Sequence, residues 1–372
     1  MALLFMEGFE QYGTTAELVS TLYQTESAMP ARWAGVSGTG GTGIDINTSI
    51  INTAQPGGVS KSIRCAGVHT DSGSWATATF PQSSDLFVGF ALRMDSSWAG
   101  CFAISSQTAI THPNRYSLGM VLQANNEGQL QFFNAVDKSL ILSTAVGAFA
   151  LGIWHYVEVN AVFGSGASGS LTLRLDGHEV ATVSGVDTAC GLSGGYDRVN
   201  FGRGGAGGAG SYHYNYFDDI YICDNTTGQH NNFLGSVNVY TLFPNGPGAS
   251  TQMTPNGLAD NWNCVKDPTP VTSTYVSANA ADLLDRYTVQ SLTTTPDEVL
   301  AVAVGNRSMK TDAGPRRVEN VLANGAGAVD GVLSTLRKDS YRICQDLFPN
   351  QPNGDPWTVG ALSGLEIGIR SK

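Results

Sequence analysis

The aromatic and acidic side chains that follow Tyr212 are the densest set of chemically capable groups in this chain. Tyr212, His213, Tyr214 and Tyr216 stand together in YHYNYFDDIYICDNTTG, directly before the carboxyl pair Asp218 and Asp219. A tyrosine ring offers an apolar face and a polar tip, which suits stacking on the apolar face of a sugar ring. These four residues are therefore the candidate ligand contacts. Burial between sheets, or between subunits, is the competing use of the same rings. Asp219, Asp224, Asn225 and the carbonyls around Gly228 add hard oxygen donors at a strand-to-loop corner, the ligand type calcium takes. An Asx-turn employs the same residues with no metal.

A catalytic set is harder to find. Sandwich glycosidases place two carboxylates across a groove, but no strand carries an alternating acidic pattern. Glu158 in HYVEVN is the best single acid and stands alone on its strand. Asp218 and Asp219, adjacent on an extended segment, are expected on opposite faces. GSGAS at 164–168 lacks the final glycine of a nucleophile elbow. The histidines at 69, 112, 155, 178, 213 and 230 form no HExxH or HxH pair. GRGGAGGAG at 202–210 is followed by no GK[ST] and by a strand rather than a helix, so no phosphate cradle is expected. The expectation is a protein without enzymatic activity.

The elements that must position these groups are short strands. Ser74–Phe80, Leu86–Met94, Cys101–Ser105, Ser117–Gln123, Leu130–Asn134, Trp154–Val162, Ser170–Leu175, Glu179–Val183 and Asn200–Gly202 alternate and are punctuated by turn residues. Asp176-Gly177 between LTLRL and HEVATV is a strong two-residue hairpin signal, because both turn positions need positive φ. About ten such strands before residue 245 predict an all-β sandwich over 1–245. An ordered connector rich in Pro, Gly, Asn and Thr, packed through Trp262 and Cys264, is expected over 246–274, and a smaller β-rich domain over 275–372. In that domain Glu298–Val304, Val318–Leu322 and Leu365–Ile369 read as strands. The stretch 331–348 fits either strands or a helix, and Asp355-Pro356 reads as the N-cap and first residue of a short helical turn.

Only 14% of residues are charged, and the net charge is −11. The basic residues look scattered, with Arg316 and Arg317 adjacent. Nucleic acid is thus not expected as a partner. No segment has the length and apolarity of a membrane span, and the opening MALLFMEGFEQYG reads as a first strand rather than a signal peptide. The six cysteines are widely spaced. They read as buried thiols, with disulfides between subunits as the alternative.

Several blocks together resemble a bacteriophage virion structural protein of the tail or virion-surface type. They are LFMEGFEQYG, WHYVEVNAVF before LTLRLDGHEVATVSG, YNYFDDIYICDNTTG, NNFLGSVNVYTLFPNG with NWNCVKD, and DPWTVGALSGLEIGI. The resemblance implies a concanavalin A-like (laminin-G-like) jelly-roll β-sandwich followed by a smaller β-rich domain. It further implies a non-enzymatic tail or neck appendage within the virion, forming a homo-oligomer with other virion proteins as partners and a host-surface glycan as ligand. A capsid decoration protein and a polysaccharide-degrading enzyme on the same fold are the alternatives. No catalytic residue comes with the resemblance, and calcium is the one cofactor considered.

Overall fold

The computed structural model describes residues 3–10, 33–37, 44–47, 61–67, 74–97, 100–106, 118–203, 213–226, 228–267, 272–339 and 341–372. Two compact units emerge, the first ending at Val239 and the second running from Tyr240 to Lys372. Both are built of antiparallel strands.

In the first unit two sheets form a jelly-roll β-sandwich. One sheet orders its strands His178–Val186, Gly169–Leu175, His155–Val162, Asp85–Met94, His213–Asp224, Ser62–Gly67 and Ile44–Asn47, with Leu3–Glu7 also paired to His213–Asp224. The other runs Leu140–Ser143, Leu130–Asn134, Met120–Ala124, Gly100–Ser105, Tyr196–Arg203, Ser74–Ser83 and Trp33–Ser37. Alternation decides which residues fill the space between them. Phe90 and Phe217 from the first sheet meet Phe102 and Phe201 from the second, with ring centroids 5.0–5.6 Å apart across the sheets. Leu86, Val88 and Leu92 are fully buried beside them, as are Val157 and Val159. Burying side chains of this size stabilises by about 1.5–3 kcal/mol each before ordering costs are counted.

The Asp176-Gly177 hairpin forms as the dipeptide predicts, with φ of 51° and 81° at the two turn residues. Asp218 and Asp219 depart from the expected strict alternation. A bulge interrupts the pairing with Asp85–Met94 between Asp218 and Tyr221, and Asp219 adopts φ 48°. The extra residue turns the Asp219 carboxyl to the backbone of Val239, away from the inter-sheet core.

The second unit has a six-stranded sheet made of Pro244–Thr251, Leu284–Val289, Glu366–Ser371, Arg317–Asn324 and Gly327–Asp330, with Ser334–Thr335 added to Arg317–Asn324. Two shorter ladders accompany it, Thr254–Asn256 with Tyr275–Ser277 and Val302–Ser308 with Arg342–Phe348. Val304, Leu322, Phe348, Trp357 and Leu365 form its core. The segment expected as a connector is part of this unit, since Pro244–Thr251 is a sheet strand and Asn261–Val265 a short helix. Its polar groups explain the order: Asp285, fully buried, accepts the Gln252 and Met253 N–H groups and bonds to Asn261 and Tyr287. The expected strand Glu298–Val304 begins later, at Val302. The turn near residue 360 is a 3-10 segment, Val359–Leu362, capped by Thr358 rather than Asp355.

Candidate functional site

The face of the first sheet turned away from the core carries the chemistry. Residues directly opposite one another in an antiparallel sheet share a face. Arg64 and Arg93 are both opposite Tyr216, so the three stand in one row across three strands. His155 pairs with Leu92, which puts Trp154 at the end of the same row.

Side-chain geometry turns this row into a cluster. The Arg93 guanidinium lies 5.2 Å from the Tyr216 ring centroid, and that of Arg64 lies 4.7 Å from the Tyr214 ring. Tyr214 and Tyr216 are 6.3 Å apart, and Trp154 meets Tyr216 edge-on at 6.2 Å. Asp95 accepts the Tyr216 hydroxyl at 3.3 Å and pairs with Arg93 at 3.5 Å. Burial and the Asp95 charge raise the Tyr216 pKa, so its phenol stays protonated. Arg93 and Asp95 each keep about 30% of their side-chain surface exposed, so the edge of the cluster reaches solvent while Tyr216 beneath it is buried. Stacked guanidinium groups retain an in-plane fork of N–H donors that matches a carboxylate.

Farther along the same face the groups are covered. Glu158, Gly89 and Tyr221 form the next full row after the bulge, with Arg174 beyond Glu158. Gly89 is required there, because a Cβ would sit 2.0 Å from a Tyr221 ring carbon. The Tyr221 hydroxyl donates to Glu158 Oε1 at 2.6 Å. A strap, residues 231–239, crosses this row. Leu234 N–H donates to the Tyr221 hydroxyl, Gly235 N–H to Glu158 Oε1 and Val239 N–H to Asp219 Oδ1. Phe233 packs edge-on against Phe87 at 5.3 Å and under the Arg174 guanidinium at 4.4 Å. Tyr156 donates its hydroxyl to the Asp219 carbonyl. Burial pushes the Asp219 carboxyl up to about 7.

The structure therefore brings together two of the four expected ligand contacts, Tyr214 and Tyr216. His213 is opposite Gly67 on its strand, while the His213 side chain and the whole of Tyr212 lie outside the described residues. Arg64, Arg93 and Trp154 escaped the sequence reading. The one available signal was that Arg93 follows the apolar run Leu86–Leu92 on its strand.

The expected calcium donors are not gathered. Asp219 is committed to Val239, and five residues of strand, about 16 Å at ~3.3 Å per residue, separate it from Asp224. Asp224 Oδ1 closes an Asx-turn by accepting both the N–H and hydroxyl of Thr226. Asn225 donates to Asp85 Oδ2 at 2.7 Å. Among the described residues no group of three or more His, Cys, Asp or Glu side chains is placed to hold a metal ion.

No protein-family model matches the chain, and no curated protein sequence matches it. Solved structures do resemble it. An endo-β-1,4-glucuronan lyase from the fungus Trichoderma reesei is 13% identical over 51% of this chain and 90% of its own, with a TM-score of 0.39. The alginate lyase Aly36B is 14% identical over 60% of this chain and 96% of its own, at 0.37. The carbohydrate recognition domain of Emp46p is 7% identical over 57% of this chain and 96% of its own, at 0.33. The all-β jelly-roll class stands. The expected non-enzymatic virion structural protein is not what these structures resemble: the likeness is to polysaccharide lyases and a carbohydrate recognition domain, and it bears on the fold.

Proposed function

We propose that the first unit engages an acidic polysaccharide at the cluster of Arg64, Arg93, Tyr214, Tyr216 and Trp154. The observation that carries this reading is the row Arg64–Tyr216–Arg93 on one sheet face, with both guanidinium groups stacked on tyrosine rings. Aromatic faces take the apolar faces of sugar rings, and guanidinium forks take their carboxylates. Such sites are shallow, so a single chain gains affinity mainly by contacting several sugar units.

A second reading, cleavage of the bound chain by β-elimination, is favoured by Tyr216. Elimination moves the proton α to a uronate carboxylate onto a base, for which the Asp95 carboxylate beside the Tyr216 hydroxyl is the group at hand, forms a C4–C5 double bond and breaks the C4–O bond. A cation beside the carboxylate stabilises the developing charge. A phenol held protonated supplies the proton that the leaving oxygen needs.

Binding of alginate and polygalacturonate oligosaccharides is measured by calorimetry against the neutral polymer dextran. Arg64→Ala combined with Arg93→Ala is expected to weaken acidic-oligosaccharide binding about tenfold or more, as loss of charge-assisted bonds does. Equal binding by this variant sinks the site. The ultraviolet absorbance of the new double bond reports cleavage; binding without that signal removes the elimination reading and leaves the first intact.

A further inference from the structure

The row beneath the strap holds polar atoms that nothing among the described residues satisfies. Glu158 is fully buried and stands directly opposite Arg174 on the neighbouring strand. Its Oε1 accepts from the Tyr221 hydroxyl and the Gly235 N–H. Glu158 Oε2 and Arg174 Nε, both buried, have no hydrogen-bond partner among the described residues. Leaving charged groups unpaired out of water is costly, and such groups cluster where a ligand is meant to meet them. One acceptor and one donor on opposed residues suit a hydroxyl group, which donates to the first and accepts from the second.

These groups share the outward face with the cluster. On the strand Asp85–Met94, the residues Arg93, Ala91 and Gly89 alternate toward that face. Tyr156 is opposite Ala91, and Glu158 and Tyr221 flank Gly89, so small residues lie between large ones and the face dips there. Arg174 is four residues along and two strands across from Arg93, about 16 Å at ~3.3 Å per residue and ~4.8 Å per strand. The strap roofs this ground, and its Asn231, Asn232 and Ser236 are exposed. It is held through side chains: the N–H groups of Leu234, Gly235 and Val239 go to oxygens of Tyr221, Glu158 and Asp219. Sugar hydroxyls can donate to the same kind of oxygen. Phe233 of the strap lies against the Arg174 guanidinium, as Tyr214 and Tyr216 lie against Arg64 and Arg93.

We infer, resting on the reading of the cluster as a polysaccharide site, that Glu158 and Arg174 form a second subsite for the same acidic chain. The strap closes this subsite until a chain long enough to reach it from Arg93 displaces the strap. A uronate carboxylate then takes the terminal N–H groups of Arg174, and a sugar hydroxyl bridges Arg174 Nε and Glu158 Oε2. Hydroxyls of the sugar replace the strap N–H groups on Tyr221 and Glu158, so one set of hydrogen bonds is exchanged for another. An oligosaccharide too short to span the distance binds at the cluster and leaves the strap in place.

The test uses the full chain with alginate disaccharide and octasaccharide as probes. Hydrogen exchange at the Leu234, Gly235 and Val239 amides reports the strap and needs no variant. The octasaccharide is expected to speed exchange there about tenfold or more, and the disaccharide to leave it unchanged. Equal or slower exchange with the octasaccharide overturns the proposal. In calorimetry, Arg174→Gln is expected to weaken octasaccharide binding about tenfold and to leave disaccharide binding as it was. A lower melting temperature with octasaccharide affinity unchanged would mean that a bridging water serves the two atoms, and refutes a sugar subsite. Failure of the cluster reading looks different: the parent then binds neither oligosaccharide, or Arg64→Ala with Arg93→Ala weakens neither, and the subsite falls with it.

Discussion

Asp219→Asn tests how burial sets the chemistry beneath the strap. Asp219 is 3% exposed, and its carboxyl rises from 3.8 to about 7 because burial penalises its charge. The folded state therefore holds a proton that the unfolded chain releases near pH 4. Stability from this group is full below about pH 4 and is lost as pH rises through about 7. At about 1.4 kcal/mol for each pH unit between the two values, the loss reaches up to about 4 kcal/mol. Asparagine is neutral at every pH, retains an oxygen to accept the Val239 N–H, and tolerates the left-handed φ of 48° at this position. The variant is expected to match the parent near pH 4 and to exceed it increasingly as pH rises above that. Above pH 7 the gap should plateau at a few kcal/mol. At about 2–4 °C per kcal/mol for a unit of this size, the plateau is a melting shift of about 8–15 °C. Calorimetric melting of both proteins between pH 4 and 9 reads it directly. Parallel pH profiles would refute the reasoning, because the proton uptake would then lie elsewhere.

The neighbouring row offers two further checks. Tyr221→Phe removes the hydroxyl that donates to Glu158 and accepts from Leu234, and should cost about 1.5–3 kcal/mol in urea unfolding. Combined with Glu158→Gln it should show a coupling of about 1 kcal/mol or more; additivity would mean the two groups do not act together. Gly89→Ala drives a methyl into the Tyr221 ring and should cost about 3 kcal/mol or prevent folding of the first unit. Addition of Tyr221→Leu should restore part of the loss, and an unaffected single variant would show that the ring is not seated over Gly89.

Much of the fold was legible from local pattern. The strand Ser170–Leu175, the Asp-Gly turn and the strand after it needed only alternation and the positive φ of two turn residues. Asp355 misled because a proline after an aspartate fits a helix start, yet Thr358, three residues on, supplies the oxygen that accepts the Ala361 N–H. The bulge at Asp219 carries no composition signal: FDDIYI alternates well enough to pass for a regular strand. Pro, Gly and Asn mark turns over 246–274 but give no sign that Asp285, far along the chain, will accept the N–H groups of Gln252 and Met253.

What the sequence determined by itself was the class of structure: strands with a buried and an outward face, separated by turns, in a weakly charged acidic chain. Those properties depend on neighbours two residues apart, so they can be read in order. The sites belong to tertiary structure. Arg64, Arg93 and Tyr216 share a row only because strands distant in sequence pair in one register, and a slip of one residue would send each side chain to the other face. Charge and aromatic surface act through distances of a few ångströms in space, and the order of residues along a chain sets those distances only after the sheets have formed.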